Sequence, residues 1–150
     1  MAHSTDGASC PMPDRSQDLR MREILGEQRV VAVVGMSTNR ERPSNEVGLY
    51  LQEQGFTIIP VHPKASEIEG LRTYPNLLAI PPEAGVEIVD LFVAGEQTGP
   101  LVEQAAQIGA SVVWFQPGAE HPPAEARARE LGLEVISGKC TMAEHRRLFD

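Results

Sequence analysis

The stretch from Val33 to Asn45, VVGMSTNRERPSN, holds the chain's densest group of residues able to act on an anion. Gly35 permits a tight turn out of an apolar run. Met36 and Ser37 follow it, and Ser37, Thr38 and Asn39 bring hydrogen-bonding groups. Arg40 and Arg42 add cations. Pro43 and Ser44 suit the first turn of a helix, whose N–H groups and partial positive charge attract phosphate. Gly35, Met36, Ser37, Arg40, Arg42, Pro43 and Ser44 are therefore the expected cradle for a pyrophosphate. The stretch is not the dinucleotide fingerprint G-x-G-x-x-G, because the second and third glycines are absent. It also lacks the G-x-x-x-x-G-K-[ST] pattern of a P-loop NTPase.

A second position discriminates among nucleotides. Units that bind NAD place Asp or Glu at the end of the second strand, to bond the ribose hydroxyls. Here that end reads Pro60-Val61-His62-Pro63-Lys64. A lysine beyond Pro63 suits an additional phosphate on the ribose, as CoA and NADP carry. Lysine is scarce in the chain, with only Lys64 and Lys139.

These residues need elements to hold them. Residues 17–27 read as an amphipathic helix with Leu19, Met21, Ile24 and Leu25 on one side. Val30 to Val34 is a continuous β-branched run, the pattern of a strand buried on both faces. A helix from Pro43 to Gln54 closes at Gly55, and Phe56 to Val61 is a second strand. Residues 62–85 read as irregular, with a short helical turn near Asn76–Ala79. Val86–Val93 is a third strand, Gln97–Ile108 a helix, Ser111–Phe115 a fourth strand, Ala124–Leu131 a helix and Leu133–Ile136 a fifth strand. A last helical turn is expected over Met142–Leu148.

Alternation of this kind predicts an α/β fold, Rossmann-like and doubly wound. Three layers enclose a mainly parallel five-stranded sheet with the first strand central. Ligands of such sheets bind beyond the carboxyl ends of the strands, at the switch point. The segments Gly35–Ser44, His62–Lys64, Phe92–Gly95 and Gln116–Gly118 should converge there.

Composition narrows the function. At 150 residues the chain fits one domain, expected over 17–150 behind a flexible N-terminal tail at 1–16. A net charge of −8 argues against a nucleic-acid binder, though not against a single anionic ligand. No apolar run approaches the ~20 residues of a membrane span, and the first residues lack a signal core. Cys10 lies in the expected tail, so pairing with Cys140 is not expected, and free thiols fit a reducing cytoplasm.

Other reactive residues read as structural. Cys140, Glu144 and His145 resemble a thiol with a base, but sequence neighbours on a short helix rarely aim at one atom. A packed Cys140 and a helix-terminal His145 are expected. His62 and His121 lack carboxylate or thiolate partners in a ligand pattern, so no metal site is expected. Trp114 belongs to a buried strand and reads as core.

The segments VVGMSTNRERPSNEVGLYLQEQGFTIIPVHPK, EIEGLRTYPNLLAIP, VEIVDLFV, ASVVWFQPG and KCTMAEHRRLF resemble the small stand-alone CoA-binding proteins. These are related to the CoA-binding domain of the succinyl-CoA synthetase alpha subunit. The resemblance covers residues 17–149 and includes the C-terminal motif of Cys140, Glu144, His145, Arg147 and Leu148. It implies that Gly35, Ser37 and the Arg42-Pro43-Ser44 turn line the phosphates. It also implies that Lys64 sits near the phosphorylated ribose, and that Phe92 and Val93 lie near the adenine. No catalytic residue is implied, since the synthetase's catalytic apparatus lies outside this domain. Where relatives often carry Phe-Arg, Gly-Ile-Arg and Asp-Arg, this chain has Phe92-Val93, Gly118-Ala119-Glu120 and Gly138-Lys139. Two family cations are thus missing and one is exchanged.

The expected function is non-catalytic binding of CoA or an acyl-CoA, as a carrier, sensor or regulatory protein. The expected site is the cradle with Pro63, Lys64, Phe92, Val93 and Gln116. Two alternatives stay open: an NAD(P)-binding enzyme or redox sensor with Lys64 on the extra phosphate of NADP, and a Rossmann scaffold serving as an interaction module.

Overall fold

The computed structural model describes residues 15–149. The tail expected over 1–16 lies outside them up to residue 14, as does Cys10, while Arg15 and Ser16 already belong to the first helix. That helix, α1, spans Arg15–Glu27 and buries Met21, Ile24 and Leu25. Leu19, expected on the same side, is instead exposed.

Five strands form the main sheet: β1 Val30–Val34, β2 Thr57–Val61, β5 Ile88–Leu91, β6 Val112–Phe115 and β7 Glu134–Ser137. Their order is β2-β1-β5-β6-β7, and every neighbouring pair is parallel. Helices α2 (Pro43–Glu53), α3 (Thr98–Gln107) and α4 (Pro122–Glu130) make three of the crossovers that parallel pairing requires. Helix α5, Thr141–Phe149, follows the last strand.

The expected doubly wound α/β fold is therefore present, with one difference in order. The first strand is interior, but β5 holds the middle place. The reason lies in residues 62–85, which add no strand to the main sheet. They form a two-stranded antiparallel hairpin, β3 Glu67–Ile68 with β4 Leu71–Arg72, and two 3₁₀ turns, Leu77–Ala79 and Pro82–Ala84. Only β2 therefore lies on one side of β1, while three strands lie on the other.

Period-two alternation divides the core into two layers. Val31, Val33, Ile88, Val112 and Trp114 face α1 and α2, against Met21, Leu25, Val47 and Leu51. Ala32, Val34, Val89, Leu91 and Phe115 face α3 and α4, against Val102, Ala105, Ala124 and Ala128. The small alanines let α4 approach the sheet closely. Trp114 is fully buried, and its Nε1–H donates to the Lys139 carbonyl at 2.7 Å, tying the β7–α5 turn to the sheet.

Candidate functional site

The carboxyl ends of β1 and β5 meet where the strand order reverses. Gly35 leaves β1 there with φ of 86°, and an added Cβ would lie 2.7 Å from the Phe92 carbonyl oxygen. Only glycine allows the two loops to approach this closely. They open into a cleft of about 820 Å³, within the size range of small-molecule sites.

The loop after β1 is fixed by its own side chains. The Ser37 N–H donates to Ser44 Oγ at 2.9 Å, and the Asn39 N–H to Ser37 Oγ at 3.0 Å. The Glu41 N–H donates to Asn39 Oδ1 at 2.9 Å, and Asn45 Nδ2 to the Ser37 carbonyl at 2.8 Å. Several loop amides are therefore spent internally. Each serine hydroxyl accepts one of these bonds, and its O–H remains to donate toward an anion. Pro43 takes the first helical position of α2, where its missing N–H costs nothing. The helix thus begins at the cleft with its positive end forward.

Gly35, Ser37, Arg42, Pro43 and Ser44 line the cleft from this side. Pro63 lines it from the β2 end, Phe92 and Val93 from the β5 end, and Gln116 from the β6 end. The other expected residues lie elsewhere. Met36 is fully buried, and its Sδ and Cε pack where a Cβ on Gly48 of α2 would sit, so it locks helix to strand. Arg40 is turned outward onto Glu69, with Nη2 2.9 Å from Oε1. Lys64 is exposed and lies beyond the lining, one residue past Pro63. Arg42 is the Lys or Arg side chain that lines the cleft.

Glu69 sits at the turn of the β3–β4 hairpin with φ of 52°. It accepts from Arg40 and from Asn45 Nδ2, the latter at 3.1 Å. The Arg40 bond, and then the Asn45 bond, hold its carboxyl below the usual carboxylate range. The hairpin is thereby tied to the loop after β1.

Val47, Ala119 and Cys140 also line the cleft, although sequence reasoning did not mark them for it. Cys140 had a signal: it lies three residues past the end of β7, whose carboxyl end must open on the same edge as the others. His62 lines the cleft as well, and its Nδ1 accepts the N–H groups of Lys64 at 3.1 Å and Ala65 at 3.0 Å. That leaves the other ring nitrogen, Nε2, as the proton carrier in the neutral form. His145 is not at a helix end. It lies buried within α5, bonded to Tyr50 Oη through Nδ1 at 2.8 Å and stacked on Phe149.

Beneath the cleft lies a residue that the sequence reading passed over. Asp90, in the middle of β5, is fully buried. It accepts from Gln116 Nε2 at 2.6 Å and from the Thr141 hydroxyl at 3.1 Å. Burial pushes its carboxyl up to about 7, against the opposing pull of those two bonds. A lone acid in the apolar run VEIVDLFV was the available signal.

The family profile of a CoA binding domain matches residues 29–146. An uncharacterized Bacillus subtilis protein, YneT, is 32% identical over 125 residues, covering 83% of this chain and 91% of its own. A solved hypothetical protein from Pyrococcus horikoshii superposes with a TM-score of 0.85 at 43% identity, covering 89% of this chain and 92% of its own. The dinucleotide-forming acetyl-coenzyme A synthetase 1 of Ca. Korarchaeum cryptofilum shares the fold, with a TM-score of 0.67 at 21% identity. That match covers 78% of this chain and 27% of the synthetase. With most of its length, cleft included, inside the profile, the chain belongs to the CoA binding domain family.

Proposed function

We propose that the protein binds CoA or an acyl-CoA reversibly in this cleft, without transforming it, as a carrier, sensor or regulatory protein. The observation that carries the reading is the convergence of the helix-opening turn Arg42-Pro43-Ser44 with the apolar loop Phe92-Val93 across one cleft, in a chain of the CoA binding domain family. The residues fit such a ligand. Arg42, the Ser37 and Ser44 hydroxyls and the start of α2 suit the pyrophosphate. Phe92 and Val93 offer apolar surface for the adenine. Lys64, exposed one residue past the lining residue Pro63, suits the ribose phosphate as a cation on a long flexible stem.

The non-catalytic part has its own support. The cleft's nucleophile-bearing residues are Ser37, Ser44 and Cys140, and its one imidazole is His62. His62 spends its Nδ1 lone pair on the N–H groups of its own loop, so that nitrogen is not a base toward a thiol.

Calorimetric titration with CoA, acetyl-CoA, NAD and NADP under reducing conditions tests the reading. CoA should bind at micromolar affinity or better, about 8 kcal/mol, and Arg42→Glu and Lys64→Glu should each weaken it at least about tenfold. Preference for NADP would favour a nicotinamide-binding protein. Absence of heat with all four nucleotides would leave the interaction module as the reading.

A further inference from the structure

Gln116 meets the cleft with little left to offer it. Its backbone N–H donates to the Leu91 carbonyl at 3.3 Å, and its carbonyl accepts from the Ala119 N–H at 2.8 Å. Its Nε2 is held by Asp90 Oδ1 at 2.6 Å and by Thr141 Oγ1 at 2.8 Å. The remaining group is Oε1, which is buried without a hydrogen-bond partner in a side chain only 2% exposed. A buried carbonyl without a donor is costly, and Oε1 is the one polar group of Gln116 left without a partner.

The Asp90 carboxylate dictates this orientation. An ionised carboxylate only accepts, so the amide must turn its NH₂ end toward it. A protonated Asp90 can donate to Gln116 instead. The amide carbonyl then turns inward, and the NH₂ end takes the place of Oε1. We infer that Asp90 selects which end of the Gln116 amide meets the ligand: an acceptor when Asp90 is ionised, a donor when it is protonated. The ionised state selects a ligand that presents an N–H or O–H at this point. CoA presents such donors along its pantetheine arm and at its adenine amine, and this ligand side rests on the reading proposed above. The amide side stands without it.

The surroundings leave Asp90 as the controlling group. Val33 of β1 and Trp114 of β6 flank it in register, Thr141 reaches it from α5, and Gln116 from the β6 loop. None of these is charged. The cleft's titratable side chains His62 and Cys140 line it, while Asp90 bonds Gln116 and Thr141. Burial pushes the Asp90 carboxyl up to about 7, where both states are accessible. Asp90 acts here as a positioning residue, through Gln116.

The test uses the ligand-free wild-type protein first, so no variant has to fold. NMR should follow the Asp90 carboxyl carbon and the Gln116 side-chain amide through a pH titration. The two signals should move together with one midpoint. A Gln116 amide that stays put while Asp90 titrates overturns the inference, as does an Asp90 that never titrates in the folded protein. CoA affinity is then compared between wild type and Asp90→Asn, which cancels titration of the ligand's own phosphates. The wild-type to variant affinity ratio should rise about tenfold between about pH 6 and about pH 8. A flat ratio removes the ligand role. Failure of CoA to bind at any pH, with the NMR coupling present, counts against the CoA reading alone and supports the amide coupling.

Discussion

At the scale of single residues, the cleft depends on places where one atom more would not fit. Gly35 is the clearest. Its φ of 86° disfavours any side chain, and a Cβ would meet the Phe92 carbonyl oxygen at 2.7 Å. Gly35→Ala should therefore cost about 2–3 kcal/mol in denaturant unfolding, and it should also weaken CoA binding, because the Phe92 loop must retreat. Gly95 makes a similar approach, with an added Cβ 2.4 Å from the Glu120 carbonyl oxygen. The same arithmetic separates Arg40 from Arg42. Arg40 already has a carboxylate in Glu69, so a phosphate would have to compete with it, whereas Arg42 lines the cleft.

At the scale of elements, the loop after β1 and helix α2 act as one unit. Ser44 in the first turn accepts the Ser37 N–H, and Asn45 reaches back to the Ser37 carbonyl. This sets the loop before any ligand arrives, which reduces the ordering entropy paid on binding. Ser44→Ala removes the acceptor and leaves the Ser37 N–H unpaired in a half-buried position. It should lower stability by about 1 kcal/mol in thermal or denaturant unfolding and weaken CoA binding through loss of the hydroxyl. Met36 couples the same unit to the sheet by packing against Gly48 of α2. It belongs to the site's support, not its surface.

At the scale of the whole molecule, Asp90 links stability to pH. Its folded pKa, about 7, lies above the ordinary value of 3.8. The folded state therefore holds a proton that the unfolded state has already lost. Stability from this group is fully present below about pH 4 and declines as pH rises through about 7, with a slope of up to about 1.4 kcal/mol per pH unit. Asp18, Glu69 and Glu103 work in the opposite direction. Arginine bonds lower their pKa values, so their contributions are lost only as pH falls below the usual carboxylate range. Between about pH 5 and about pH 8, Asp90 should dominate. The unfolding midpoint of the wild type should fall across that window, and that of Asp90→Asn should stay level. Equal slopes for the two proteins would refute the assignment.

The sequence by itself determined the layers of this protein. Continuous β-branched runs such as Val30–Val34 can only be buried on both faces, and their alternation with helices dictates a parallel sheet. That in turn fixes the edge on which the cleft opens, so Gly35, Ser37, Arg42 and Ser44 could be placed on its lining from types and spacing alone. Tertiary structure decided what depends on distant partners. Arg40 was legible as a cation but not as the partner of Glu69, a residue 29 positions away. Met36 was legible as part of the loop but not as the side chain that fills the space over Gly48. Asp90, Gln116 and Thr141 come from three separate segments and meet only when β5, β6 and α5 converge. Strand and helix patterns are local, written in the spacing of apolar residues. Hydrogen-bond partners and the pKa of a buried acid are set by whatever the fold brings within 3 Å or so, and no local spacing encodes that.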